Sequence, residues 1–180
     1  MADSASRRAL HERARRRRSL LIAAASSALL VAAVVVLDQL TKHWAVNALS
    51  DGHTVDVVWT LRFALGFNSG MAFSKATGLG PLIGVVATVV VVWLLSSLRK
   101  AGSRLSACGM ALVGGGAAGN VIDRMFRGPG WFRGSVVDFI DLQWWPVFNV
   151  ADSAITVGGC LLVLGAILAS RSVDQAEVTA

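Results

Sequence analysis

The sequence predicts an α-helical polytopic membrane protein: four transmembrane helices carrying a small β-sheet on the outer face. Three observations lead there. The 180 residues are 54% hydrophobic and only 16% charged, with a mean hydropathy of +0.61, a balance foreign to soluble domains. Four apolar runs, residues 19–37, 80–98, 105–122 and 147–169, each have roughly the 20 residues that carry a helix across a hydrocarbon core. The basic residues gather on one side of these runs. A net charge of +6 would otherwise suit a nucleic-acid binder, but Arg7, Arg8, Arg13, Arg15, Arg16, Arg17 and Arg18 form a tail that reads as a topology signal.

The first span follows this tail as the apolar core of a secretory leader would. Its run is longer than such a core, however, and continues into DQLTKHWA without a small-residue cleavage site, so an uncleaved span is expected. The expected organisation is a cytoplasmic tail (1–18), one membrane domain (19–170) and a C-terminal tail (171–180), with the Arg-rich stretch and the last ten residues disordered. Arg99, Lys100 and Arg104 sit between spans two and three, and Arg171 follows span four. The positive-inside rule then puts both termini in the cytoplasm and residues 38–79 and 123–146 outside. In the first outer segment Val57, Trp59, Leu61 and Phe63 alternate with Val58, Thr60 and Arg62, the period of a strand. The second carries Trp131, Phe132, Trp144 and Trp145, suited to the headgroup level, and an RGPG turn at 127–130. Pro146 fits the first turn of span four, which would set Asp152 roughly 9 Å deeper along the helix.

The chemistry lies in polar residues at the outer ends of the spans. Asp38 and Lys42 are spaced i, i+4 with the acid first, a pair that anchors a helix face. Asn68 occupies a Gly-containing turn, FNSGMAFS, and Asn120, Asp123 and Arg124 close span three in GNVIDR. An amide, a carboxylate and a guanidinium at membrane depth imply that something polar is held there; an ordinary helix terminus would use them to fix loop backbone. Asp138 in GSVVDFIDL and Asp152 in FNVADSAI form the strongest pair, although Asp141 could replace Asp138 on spacing alone. Two carboxylates in a low-dielectric site cannot both ionise cheaply, so they share a proton. Such a dyad takes a proton from water with one member and gives one to a carbonyl oxygen with the other. Cys108 and Cys160 lie in apolar runs without CxxC spacing, and His11, His43 and His53 do not repeat at ligand intervals, so neither a disulfide framework nor a metal is expected.

The ordered set DQLTK (38–42), FNSGMAF (67–73), GNVIDR (119–124), VVDFID (136–141) and FNVAD (148–152) resembles the lipoprotein signal peptidases, also called signal peptidase II, over about residues 19–170. The resemblance implies an aspartic endopeptidase of the bacterial cytoplasmic membrane, with no metal or cofactor. It would cut prolipoproteins just before a diacylglyceryl-modified lipobox cysteine, near the outer face. It maps the catalytic pair onto Asp138 and Asp152, the polar support onto Asn68, Asn120, Arg124 and Asn149, and more structural roles onto Asp38, Lys42 and Asp123. It adds an outer amphipathic helix to the fold, and Trp59 or Trp131 as covers of the site. The implied partners are diacylglyceryl-modified prolipoproteins and membrane lipids, not nucleic acid, for a protein expected to act as a monomer. The internal LSAC at 105–108 has the look of a lipobox but opens a span, where small residues are common.

Two other classes compete. A proton-coupled transporter would carry polar residues through to the inner face, whereas spans two to four hold little beyond Ser, Thr, Gly and Cys below their outer ends. A membrane scaffold would have no need of two acids at one level.

Overall fold

The computed structural model describes residues 2–69, 80–98, 101–130 and 132–178. Helix α1 (Ala2–Ala48) is followed by strands β1 (Val55–Val58) and β2 (Leu61–Asn68), helices α2 (Gly80–Ser97) and α3 (Arg104–Phe126), strand β3 (Val136–Asp141) and helix α4 (Val150–Val178). Three described helices contain stretches long and apolar enough to cross a membrane: Leu21–Ala48, Arg104–Phe126 and Val150–Arg171; Gly84–Ser97 of α2 is a shorter apolar helix.

The tails differ from expectation. No Gly or Pro occurs before Gly52, and the Arg-rich stretch is dominated by Arg, Ala, Leu and Glu, all good helix formers. The helix therefore runs through the tail as one 47-residue element, about 70 Å at 1.5 Å per residue. It also continues past residue 37 to Ala48, carrying Asp38 and Lys42 on one helical face as their i, i+4 spacing predicts. At the other end α4 continues to Val178.

Helix α3 is the hub of the bundle, and small residues make that possible. Gly115 faces Val34 of α1, Gly114 faces Leu95 of α2, and Gly109 meets Gly158 and Leu162 of α4. Absent side chains let helix backbones approach closely where no hydrophobic force operates between apolar helices. At Gly116 an added Cβ would collide with the carbonyl oxygen of Ala151. Gly116→Val is therefore expected to push α3 and α4 apart and lower stability by about 1–3 kcal/mol or more, read as a fall in melting temperature. Gly159→Ala, where the same atom would meet open space, should leave it unchanged; equal effects would refute the packing argument.

The sheet is antiparallel with order β1-β2-β3. The stretch expected as one alternating strand is in fact a hairpin, turned at Trp59–Thr60 by the positive φ of Trp59, 52°, and Trp59 itself is 95% exposed. In the second pairing Arg62 lies opposite Asp141, Gly66 opposite Asp138 and Asn68 opposite Val136. The sheet seats on the end of α1 through aromatic edges: Trp44 to Phe63 at 5.3 Å and Trp44 to Phe139 at 6.0 Å between ring centroids. Ala45, Leu49 and Phe139 are buried beneath. No outer amphipathic helix occurs among the described residues. Residues 70–79, which include the GMAF of the second motif, and Trp131 lie outside them.

Candidate active site

The C-terminal ends of α1 and α3, the N-terminus of α4 and strand β3 meet at one end of the bundle, and the polar residues meet with them. The start of α4 sets the first carboxylate. Helix α4 begins at Val150, not at Pro146, because Phe148 pairs with Ile140 of β3 and keeps the preceding residues extended. Asn149 is the cap: its Oδ1 accepts from the Asp152 backbone N–H at 2.9 Å, while Asp152 Oδ2 accepts from the Asn149 backbone N–H at 3.2 Å. This reciprocal capping box fixes Asp152 in the first turn, so the depth expected from Pro146 is too great.

Strand β3 sets the second carboxylate. Asp138 is 5% exposed and its Oδ1 accepts from Asn149 Nδ2 at 2.7 Å; the Asn68 side chain also bonds to it. Asn68 is the last residue of β2, not a turn residue. Burial pushes the Asp138 carboxyl up to about 6, and the charge of Asp152 adds to the rise, against the bonds from Asn149 and Asn68 and the charge of Lys42. Asn149 thus bonds to both carboxylates, with its side-chain NH2 on Asp138 and its backbone N–H on Asp152. Asn120 completes the link: its Nδ2 donates to Asp152 Oδ1 at 2.8 Å. Arg124 bonds back to the Asn120 carbonyl at 3.4 Å and interacts electrostatically with Asp138, Asp152 and Asp123, bringing positive charge to a doubly acidic site.

Asp141 takes no part. Three residues along a strand from Asp138, it faces the other way, pairs with Arg62 Nε at 2.7 Å and accepts from the Gln143 N–H. Burial alone would raise its carboxyl, but these bonds outweigh that and hold it below the usual carboxylate range. Asp141→Asn is accordingly expected to leave any hydrolytic rate within about twofold, since a part-exposed pair contributes little. A loss as large as that from Asp138→Asn would return Asp141 to the dyad.

Behind the acids lies a sealed ion cluster. Lys42, wholly buried, meets Asp38 Oδ2 at 2.9 Å, Asp123 Oδ2 at 2.8 Å and Asn120 Oδ1 at 2.8 Å. Asp38 also accepts the Ala151 N–H of α4 at 3.0 Å, and Asp123 accepts the Val137 N–H of β3 at 3.2 Å. Sequence reasoning missed two members. Arg127 pairs with Asp123 at 2.7 Å, which its i, i+4 spacing could have signalled. Gln39 reaches Asp38, Asp123 and the Gly119 carbonyl, for which no periodic signal exists. Among the described residues there is no group of His, Cys, Asp and Glu able to hold a metal ion.

A family model described as signal peptidase (SPase) II matches residues 30–168. The chain is 47% identical over 128 residues to the lipoprotein signal peptidase of Mycolicibacterium smegmatis, covering 71% of this chain and 54% of that protein. It is 45% identical over 129 residues to that of Mycobacterium leprae, covering 71% and 64%, and 46% identical over 129 residues to that of Mycobacterium avium, covering 71% of each. The match thus spans little more than half of the first of these relatives. A solved structure described as a bacterial membrane enzyme superposes with a TM-score of 0.71 at 27% identity, covering 82% of this chain and 91% of that one.

Proposed function

The chain belongs to the signal peptidase II family, and from that premise we propose that it is an aspartic endopeptidase cleaving the signal peptide of diacylglyceryl-modified prolipoproteins just before the lipobox cysteine. The observation that carries the aspartic reading is the joining of the two carboxylates by Asn149, whose side-chain NH2 donates to Asp138 and whose backbone N–H donates to Asp152, with the Asp138 carboxyl pushed up to about 6. The reaction follows from that asymmetry. Asp152, each oxygen of which already accepts a hydrogen bond, is the base; Asp138 is the acid. Water attacks the scissile carbonyl carbon, its proton passes to Asp152, and Asp138 gives its proton to the carbonyl oxygen, leaving a neutral gem-diol. On collapse a diol hydroxyl returns a proton to Asp138, Asp152 delivers its own to the departing amine, and the C–N bond breaks. Asn68, Asn120 and Arg124 surround the reacting groups, and no metal or cofactor is needed. A lipid-modified substrate suits a site set where the apolar helices end and the sheet begins. The reading places the enzyme in the bacterial cytoplasmic membrane as a monomer, with the site near the outer face and both termini cytoplasmic, as the basic residues indicate.

The test is cleavage by the purified chain in lipid of one prolipoprotein with and without its diacylglyceryl group. Only the modified form should be cut, immediately before its cysteine. Equal cutting of both forms, or none of either, would overturn the substrate assignment.

A further inference from the structure

Lys42 touches neither carboxylate of the dyad, yet its geometry bears on one of them. An ammonium has three donors and no acceptor, and all three of Lys42 are used: on Asp38, Asp123 and the carbonyl end of Asn120. Only that end of the amide can face an ammonium. The NH2 end is therefore turned towards Asp152 Oδ1, 2.8 Å away. The reverse orientation would set NH2 against NH3⁺ and oxygen against carboxylate. Asn149 Nδ2 donates to the same Asn120 oxygen at 3.2 Å, reinforcing the choice. A cation on the carbonyl also polarises the amide and strengthens its N–H as a donor.

We infer that Lys42 is a positioning residue for Asp152: through Asn120 it fixes a hydrogen-bond donor on the carboxylate that activates water. The inference rests on the peptidase reading and deepens it, turning a cluster that looks purely structural into part of the proton-transfer machinery. Asp38 and Asp123 hold Lys42 in place from α1 and α3, so the whole cluster converges on one amide.

The experiment uses the full chain in lipid with a diacylglyceryl-modified substrate. Lys42→Met combined with Asp38→Asn removes the cation without leaving its i, i+4 partner charged, and Asn at 38 can still accept the Ala151 N–H. This variant should stay folded, lose roughly 10- to 100-fold in kcat, the scale seen when a partner that orients a functional group is removed, and keep KM within about twofold. A merely structural role would lower the melting temperature and the amount of active enzyme without a selective fall in kcat. Introduced into an Asn120→Ala background, the same change should cost no further activity. A second readout needs no substrate: the Asn120 side-chain NH2, assigned in 15N spectra by its absence from Asn120→Ala, should exchange at least about tenfold faster once Lys42 is gone. Unchanged kcat, full additivity with Asn120→Ala, or unchanged exchange would each overturn the proposal. A wild-type chain that cuts nothing would overturn the peptidase reading instead, leaving the exchange measurement to decide the role of Lys42.

Discussion

Asp138→Asn is expected to abolish cleavage, by roughly four orders of magnitude in kcat or more, as when one member of a catalytic unit is removed, while making the protein more stable at neutral pH. The second half follows from linkage. The carboxyl ionises near 3.8 when unfolded and at about 6 in the folded chain. Between those values the folded state binds more protons than the unfolded one, so stability falls as pH rises through that window. By pH 7 the ionised group costs at most about 3 kcal/mol, the free-energy equivalent of the shift. An asparagine there never ionises and can still accept from Asn149. Melting at pH 8 should therefore favour the variant, and the difference should vanish towards pH 4. A variant that cuts normally would remove Asp138 from the chemistry; one less stable than wild type at pH 8 would contradict the burial cost.

Lys42→Ala should have the largest effect on the fold. Removing the cation leaves Asp38 without its ion pair and Asp123 with Arg127 alone, both at 0% exposure. Breaking a buried pair from one side typically costs about 3–5 kcal/mol, because the surviving charge stays desolvated. The loss should be read in unfolding at pH 7 and should shrink when Asp38→Asn is added. A single variant as stable as wild type would mean that water reaches the cluster.

Much of this site is legible in the chain because ionisable residues are so out of place in apolar surroundings. Asp138 and Asp152 are conspicuous for that reason, and the Asp38–Lys42 pair follows from helical spacing. Hidden are relations between elements: nothing in the sequence says that Lys42 meets Asn120 on another helix, or that Gln39 spans two acids. The hairpin at Trp59 was illegible because the alternation runs unbroken through the turn, and an aromatic residue at positive φ is a poor turn signal. The start of α4 was misread by giving Pro146 the first helical position. Asn149 and Asp152, three apart, carry the better signal, that of the capping box.

That capping box sets the two aspartates apart in evolutionary terms. Asp152 accepts hydrogen bonds through both oxygens, from Asn120 and from the Asn149 backbone, so an amide there would turn a donor against a donor and weaken the start of a helix. Asp138 carries a proton-affinity cost that its loss relieves. In a lineage released from selection for proteolysis, drift should erase Asp138 first and keep Asp152 for the sake of the fold. Inactive descendants of this architecture should be recognisable by one surviving aspartate at the head of the last helix.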